Sequence, residues 1–157
     1  MKATILTLIL AFIITTSVSA QDYETGIGFR GGLSNGITVK HFISKTSALE
    51  GILSSRWQGF NITGLYEIHN WSFDTPRLNW YYGFGGHIGF WNGYENHPWF
   101  KETGSYSVIG IDGIIGIEYN IETIPINISL DWKPGINIIG YSGFWGDELA
   151  FSVRFIF

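Results

Sequence analysis

Asp147-Glu148-Leu149-Ala150-Phe151-Ser152-Val153-Arg154-Phe155-Ile156-Phe157 closes the chain, and its alternation decides the fold. Leu149, Phe151, Val153, Phe155 and Phe157 are apolar on one parity, while Glu148, Ala150, Ser152, Arg154 and Ile156 occupy the other. A period of two describes a strand with one greasy face and one face that tolerates charge.

The same pattern recurs upstream. It predicts seven further strands, over Glu24–Leu33, Ile37–Ile43, Ala48–Ser55, Phe60–His69, Asn79–Trp91, Ser107–Ile121 and Ile126–Ile138. Turn chemistry separates them: Ser34-Asn35-Gly36 as a tight hairpin, Ser44 to Ser47, the longer Asn70–Leu78 stretch and Glu122 to Pro125. Two further loops are expected, Asn92–Tyr106 and Gly140–Gly146. No segment sustains a helical period, and no repeat of fixed length signals a propeller or solenoid. Thr, Ile, Tyr, Phe and Trp in abundance with few prolines favour strands. The expected fold class is all-β, an eight-stranded antiparallel up-and-down barrel.

Composition removes several classes. The 157-residue chain has no cysteine, which excludes disulfides, Cys-based metal or redox sites and a lipoprotein anchor. A net charge of −4 without a basic cluster is no footprint for nucleic acid. Lys2, the apolar run Ile5 to Ile14 and Val18-Ser19-Ala20 read as an export signal over residues 1–20. The domain expected after it is 21–157.

Parity also predicts which face looks inward. The apolar sets carry almost no charge on any strand, whereas Arg30, Lys40, Glu50, Arg56, Asn61, Thr63, Glu67, His87, Asp112, Glu118, Asn127, Asp131, Lys133 and Arg154 fall on the opposite parity. A soluble lipocalin would wet the charged set, but a transmembrane barrel turns it inward and gives the apolar set to lipid. Charges of both signs on one parity and strands long enough to cross a bilayer favour the membrane. Aromatic girdles are expected from Trp57, Phe90, Trp91, Phe144 and Trp145 at one end, and from Trp71, Phe73, Trp80, Tyr82, Tyr119, Phe155 and Phe157 at the other. Gly31, Gly51, Gly64, Gly86 and Gly113 fall on the outward parity, where a neighbouring ring is expected over each gap. Gly28, Gly32, Gly83, Gly85, Gly89, Gly110 and Gly116 fall inward, where they make room for long side chains.

On the stretches Trp80–Trp91, Gly110–Tyr119, Ile126–Pro134 and Arg154–Phe157 the chain resembles small outer-membrane β-barrel proteins of Gram-negative bacteria of the Bacteroidota kind. It is similar in architecture to OmpA/OmpX-type barrels. The likeness covers essentially the whole mature chain. It implies location in the cell outer membrane, contact with lipopolysaccharide and phospholipid, and handling by the barrel-insertion machinery. Phe151, Val153, Phe155 and Phe157 would be the C-terminal insertion signal. Such proteins mostly lack an assigned activity, so the resemblance implies location and fold only.

Motifs for chemistry are sparse. His41, His69, His87 and His97 lack metal-ligand spacing, and no His-Glu-x-x-His occurs. The glycine runs at Gly83–Gly86 and Gly110–Gly116 precede no helix that could hold a phosphate. A lipid-modifying enzyme would need a nucleophile beside a base, yet Ser55 and His41 are expected at opposite strand ends. No cofactor and no metal are expected. The larger expectation is an interior network of Arg30, Lys40, Glu50, Glu67, His87, Asp112, Glu118, Asp131, Lys133 and Arg154, with Glu118, Asp131 or Asp112 as partner for Arg154. Filling an eight-stranded barrel, these side chains predict a plugged core. The functional reading is a structural or adhesive barrel acting through outer loops, with Trp99, Phe100, Phe144 and Trp145 as contact candidates for an unidentified extracellular partner. A narrow pore or small-solute binder is the alternative, and a lipid-modifying enzyme the second.

Overall fold

The computed structural model describes residues 23–56, 59–71, 73–93, 104–140 and 142–157. Ten strand segments follow in order: β1 (Thr25–Gly32), β2 (Asn35–Phe42), β3 (Ser47–Arg56), β4 (Gly59–Asn70), β5 (Leu78–Gly93), β6 (Gly104–Asn120), β7 (Ile126–Trp132), β8 (Gly135–Ile139), β9 (Gly143–Trp145) and β10 (Leu149–Ile156). From β1 to β7 each pairs antiparallel with the next in an up-and-down meander. The first and last strands then meet, Gly26 opposite Ile156 and Gly32 opposite Ala150, which closes the ring. Closure removes the unpaired edges an open sheet would expose.

The ten segments make eight staves. β7 and β8 are one stave broken at Lys133–Pro134, where proline has no N–H for the ladder. Both pair with β6. Beyond the break β8 pairs with β9, while β7 pairs with β10, so β9 and β10 form the eighth stave. The continuous strand expected over Ile126–Ile138 is therefore interrupted. The loop expected over Gly140–Gly146 holds β9, and Gly140 provides the left-handed conformation, φ +90°, that ends β8. β5 and β6 are longer than expected, and the first hairpin turns at Leu33–Ser34, ahead of the anticipated Asn35-Gly36. Asn35 Oδ1 accepts from Gly32 N–H across this turn.

Both described ends of the chain lie at one end of the barrel, where Thr25 and Phe157 exchange backbone hydrogen bonds of 2.9 Å. This terminal end also carries the connections around Ser44, Phe73 and Ile124. The opposite, far end carries the Ser34 turn and residues 140–148.

Burial inverts the order found in water-soluble domains. Among the described residues, twenty-three polar or charged residues are buried against nine apolar ones, and thirty large apolar side chains are exposed. Phe151, Val153 and Phe155 face outward from β10, and Phe157 lies half-buried beside Phe155. Phe73, Tyr82 and Phe155 are exposed toward the terminal end and Phe90 and Phe144 toward the far end.

Trp91 and Trp145 depart from the girdle expected of them. Trp91 is buried, with Val108 beside it and Tyr106 and Trp145 packed against it. Strand parity turns residue 91 inward, and the missing side chain of Gly89 leaves room, since a Cβ there would stand 2.0 Å from the indole. Trp145 pairs with inward-facing Gly135 and follows the same parity. Trp57 lies outside the described residues, as does the segment expected to be an export signal.

The outward glycines are uncovered. A Cβ at Gly51 or Gly64 would have nothing within 4 Å, and no aromatic ring comes within that distance at Gly31, Gly86 or Gly113, where a Cβ would meet Asn35 Oδ1 at 3.6 Å, the Gly110 carbonyl oxygen at 3.0 Å and the Pro134 ring at 3.8 Å. The inward ones are crowded. At Gly110 a Cβ would lie 2.4 Å from the His87 ring and 2.4 Å from the Ile136 carbonyl oxygen. Gly110→Val is therefore expected to prevent folding, read as loss of the β-sheet circular-dichroism signal, whereas Gly51→Val leaves the fold intact with equal or greater resistance to urea.

Candidate functional site: the charged interior

The interior is built in levels, because every strand sends alternate side chains inward and eight strands leave little space between them. Nearest the terminal end, Lys40 on β2 meets three carboxylates: Glu67 at 2.8 Å, Glu118 at 3.3 Å and Glu50 at 3.7 Å, the last an ion-pair distance without a hydrogen bond. Its ammonium also sits 3.9 Å from the centre of the Tyr81 ring, a cation–π contact. His69 bridges the same carboxylates, with Nε2 3.0 Å from Glu67 and Nδ1 2.9 Å from Asn79 Oδ1. Asn79 in turn donates to Glu118 at 3.2 Å, and the Tyr23 hydroxyl donates to Glu118 at 3.3 Å.

At mid-height two arginines cross the lumen. Arg30 on β1 makes a bidentate pair with Asp131 on β7, at 2.7 and 2.6 Å, and the Tyr81 hydroxyl donates to the same carboxylate at 3.2 Å. Arg154 on β10 pairs with Glu50 on β3 and donates to Ser129 at 2.8 Å and Asn127 at 3.1 Å. Thr38 also donates to Glu50. The partner of Arg154 is thus none of the three expected on β6 and β7. Gly28 lies opposite both Arg154 and Thr38, so the intervening strand offers no side chain and the guanidinium reaches across it. Ile52, Leu65, Tyr81 and Ile114 pack into an apolar cluster on the β3–β6 side.

Toward the far end Lys133 bridges Asp112 and Glu148, each at 3.2 Å. His87 contacts Asp112 through Nδ1 at 2.7 Å and Asn137 through Nε2 at 2.8 Å. Ser34 donates to Glu148 at 2.9 Å. Trp145 lies 6.2 Å from the His87 ring and 5.6 Å from Trp91, centre to centre, so indoles cover this level. At the rim Arg56 pairs with Asp147 at 2.9 Å, and this hydrogen bond holds the Asp147 carboxyl below the usual carboxylate range.

All ten residues named for the interior from sequence are buried in the lumen, each in an ion pair or a charge-assisted hydrogen bond. Sequence reasoning missed Tyr23, Ser34, Thr38, His69, Asn79, Tyr81, Asn137 and Glu148. Strand parity alone would have found His69, which follows Glu67 by two, and Asn79 and Tyr81, which precede His87 at even spacing. Glu148 shares the inward parity of Ala150, Ser152 and Arg154 in the terminal stretch, although it lies just ahead of β10. Among the contact candidates, Phe144 is exposed and Trp145 is turned into the mouth. Trp99 and Phe100 lie outside the described residues. Ser55 donates to the Gly59 carbonyl and His41 contacts Thr25, at opposite ends of the wall. Among the described residues no three His, Asp or Glu side chains are grouped to hold a metal ion.

What this arrangement can do chemically is fill and rigidify. Six carboxylates, four cations and two histidines come together from eight of the ten segments and from Lys133 and Glu148 beside them. No protein-family model matches the chain, and comparison with curated proteins and with solved structures returns no match.

Removing one member of a buried ion cluster strands the others without water. Lys40→Met, which leaves Glu50, Glu67 and Glu118 facing one another, is expected to cost about 3–5 kcal/mol in urea unfolding. Adding Glu67→Gln to it restores part of the loss. The rim pair behaves differently because it is solvated. A carboxyl held low in the folded state adds stability above its unfolded pKa and loses it as pH falls through the folded one. Arg56→Gln is therefore expected to cost under about 1 kcal/mol at neutral pH, and progressively less as pH falls through the acid range in which Asp147 is protonated.

Proposed function

We propose that this protein is a small outer-membrane β-barrel whose interior is plugged and whose role is structural or adhesive, exercised through its far-end loops. The observation that carries this reading is the inversion of polarity. Among the described residues every Lys, Arg, Asp and Glu within a strand points inward, with Arg56 at the rim, while the outer wall is Ile, Leu, Val and Phe. In water such a wall is an aggregation liability, since soluble monomers rarely expose apolar patches beyond a few hundred Å². In a bilayer it is the required surface.

The height of the wall supports the same environment. On β5 the outward residues run from Trp80 through Tyr82, Phe84 and Ile88 to Phe90. At about 3.3 Å per residue and a tilt of about 40°, that run spans about 25 Å, the height of an outer-membrane apolar band. The neighbouring row ends abruptly: Ile88 pairs with Ile109, Phe90 with Ser107 and Asn92 with Ser105. Phe151, Val153, Phe155 and Phe157 suit a C-terminal signal for insertion machinery, and lipopolysaccharide and phospholipid are the surrounding solvent. The membership suggested by resemblance to Bacteroidota-type and OmpA/OmpX-type barrels belongs to this proposal.

Two measurements test it. Chain residues 21–157 refolded into phosphatidylcholine vesicles should resist carbonate and urea extraction, and a monodisperse folded monomer in detergent-free buffer would overturn the membrane reading. In planar bilayers the Arg154–Glu50 and Arg30–Asp131 pairs and the apolar cluster beside them predict no large, ion-selective conductance. Discrete steps of that kind would favour the narrow-pore alternative instead.

A further inference from the structure

The β3–β4 hairpin is shorter than its β5–β6 neighbour. β4 begins at Gly59 opposite Trp91, whereas β5 and β6 continue pairing to Gly93 and Gly104. This difference leaves a shoulder on the outer wall near the far end, a depression of about 610 Å³. Its floor is the pair Phe60 and Phe90, stacked with ring centres 5.1 Å apart and an interplanar angle of 29°. Asn92, Ser105 and Ser107 line it beside the floor, with the inward-turned Trp91 and Tyr106 behind them. The Ser105 hydroxyl donates to Asn92 Oδ1 at 3.4 Å, so the amide N–H₂ is directed elsewhere. None of the described lining side chains is charged.

A second depression, of about 600 Å³, begins where the first ends. The two share Ser55 and Phe60, and the second continues down the wall between Ile37, Leu53 and Ile62. One end of the combined site is aromatic with neutral hydroxyl and amide groups, and the other is aliphatic. The join falls at the Phe60–Phe90 row, where outward residues change from Ile88 and Ile109 to Asn92 and Ser105.

We propose that this is a binding site for a glycolipid of the outer leaflet. An uncharged sugar ring lies on the Phe60–Phe90 floor, and an acyl chain lies in the Ile37–Leu53–Ile62 groove. A pyranose ring presents C–H groups on one face and hydroxyls around its edge, which matches an aromatic floor inside a rim of amide and hydroxyl groups. Among the described lining residues there is no Lys or Arg of the kind that recognises a phosphate headgroup. The aliphatic groove requires the sugar to arrive attached to a chain. The proposal rests on the membrane reading above and names one lipid class within it.

The test uses residues 21–157 in phosphatidylcholine nanodiscs containing a few mole per cent of monogalactosyl diacylglycerol, with lipids retained on the released barrel counted by native mass spectrometry. One glycolipid is expected to be retained with about tenfold enrichment over phosphatidylcholine. Asn92→Leu with Ser105→Leu, and separately Phe90→Ala, should abolish the enrichment while keeping the β-sheet circular-dichroism signal. Phe73→Ala, at the terminal end, should keep both. Retention no greater than that of phosphatidylcholine, preference for an anionic phospholipid, equal retention by the variants, or binding of free galactose by the barrel in detergent would each overturn the proposal. Failure of the chain to enter the nanodisc would instead overturn the membrane reading on which it rests.

Discussion

Glu50 and the two cations that reach it set the terms for the rest of the molecule. Eight strands enclose a space only about as wide as the side chains that fill it, so an interior carboxylate has almost no water to lean on. Its charge must be met by protein, and Arg154 from the closing strand and Lys40 from the adjacent one do so. Each of these in turn has further obligations, Arg154 to Asn127 and Ser129, Lys40 to Glu67 and Glu118. The network therefore ties β2, β3, β4, β6, β7 and β10 together through one continuous set of contacts. Closure of the ring and neutralisation of its core are the same event, since Arg154 arrives only when β10 docks on β1.

Small residues make that arrangement possible. Gly28 stands between Arg154 and Thr38 and leaves the guanidinium a clear path across β1. Gly110 admits the His87 ring, and Gly89 admits the Trp91 indole. The same economy explains the far end, where Trp91 and Trp145 lie inward over the Lys133–Asp112–Glu148 group. Residues that bear on function are consequently divided by the wall. In the proposed reading the interior supplies rigidity and recognition falls to the outer surface and rim, where the shoulder beside β5 combines stacked rings with neutral hydrogen-bonding groups.

The polarity of the wall then acts as a constraint in its own right. A band of exposed Ile, Leu, Val and Phe favours association in water and is satisfied in hydrocarbon. With backbone groups paired around the full circle, little main-chain polarity is left to oppose transfer into an apolar phase. The two halves go together in the proposed reading: an apolar wall is satisfied by hydrocarbon, and the charges of the core are tolerated where ion pairs and hydrogen bonds meet them.

The amino-acid sequence by itself determined the strands and the side each residue faces. Alternation is a local property, written every two residues in stretches such as Leu149–Phe157 and Trp80–Phe90, so inward Arg30, Lys40 and Glu118 were legible before any contact was known. Absence of cysteine and of helical periodicity likewise settled the fold class. Partnership was decided only by tertiary structure. Glu50 meets Arg154 because the registers of β1, β2 and β10 bring them together over Gly28, and register depends on pairings made across the whole ring. The inward turn of Trp145 and the meeting of Glu148 with Lys133 arise the same way. Each follows from which strand lies alongside, and neighbouring residues along the chain carry no record of that.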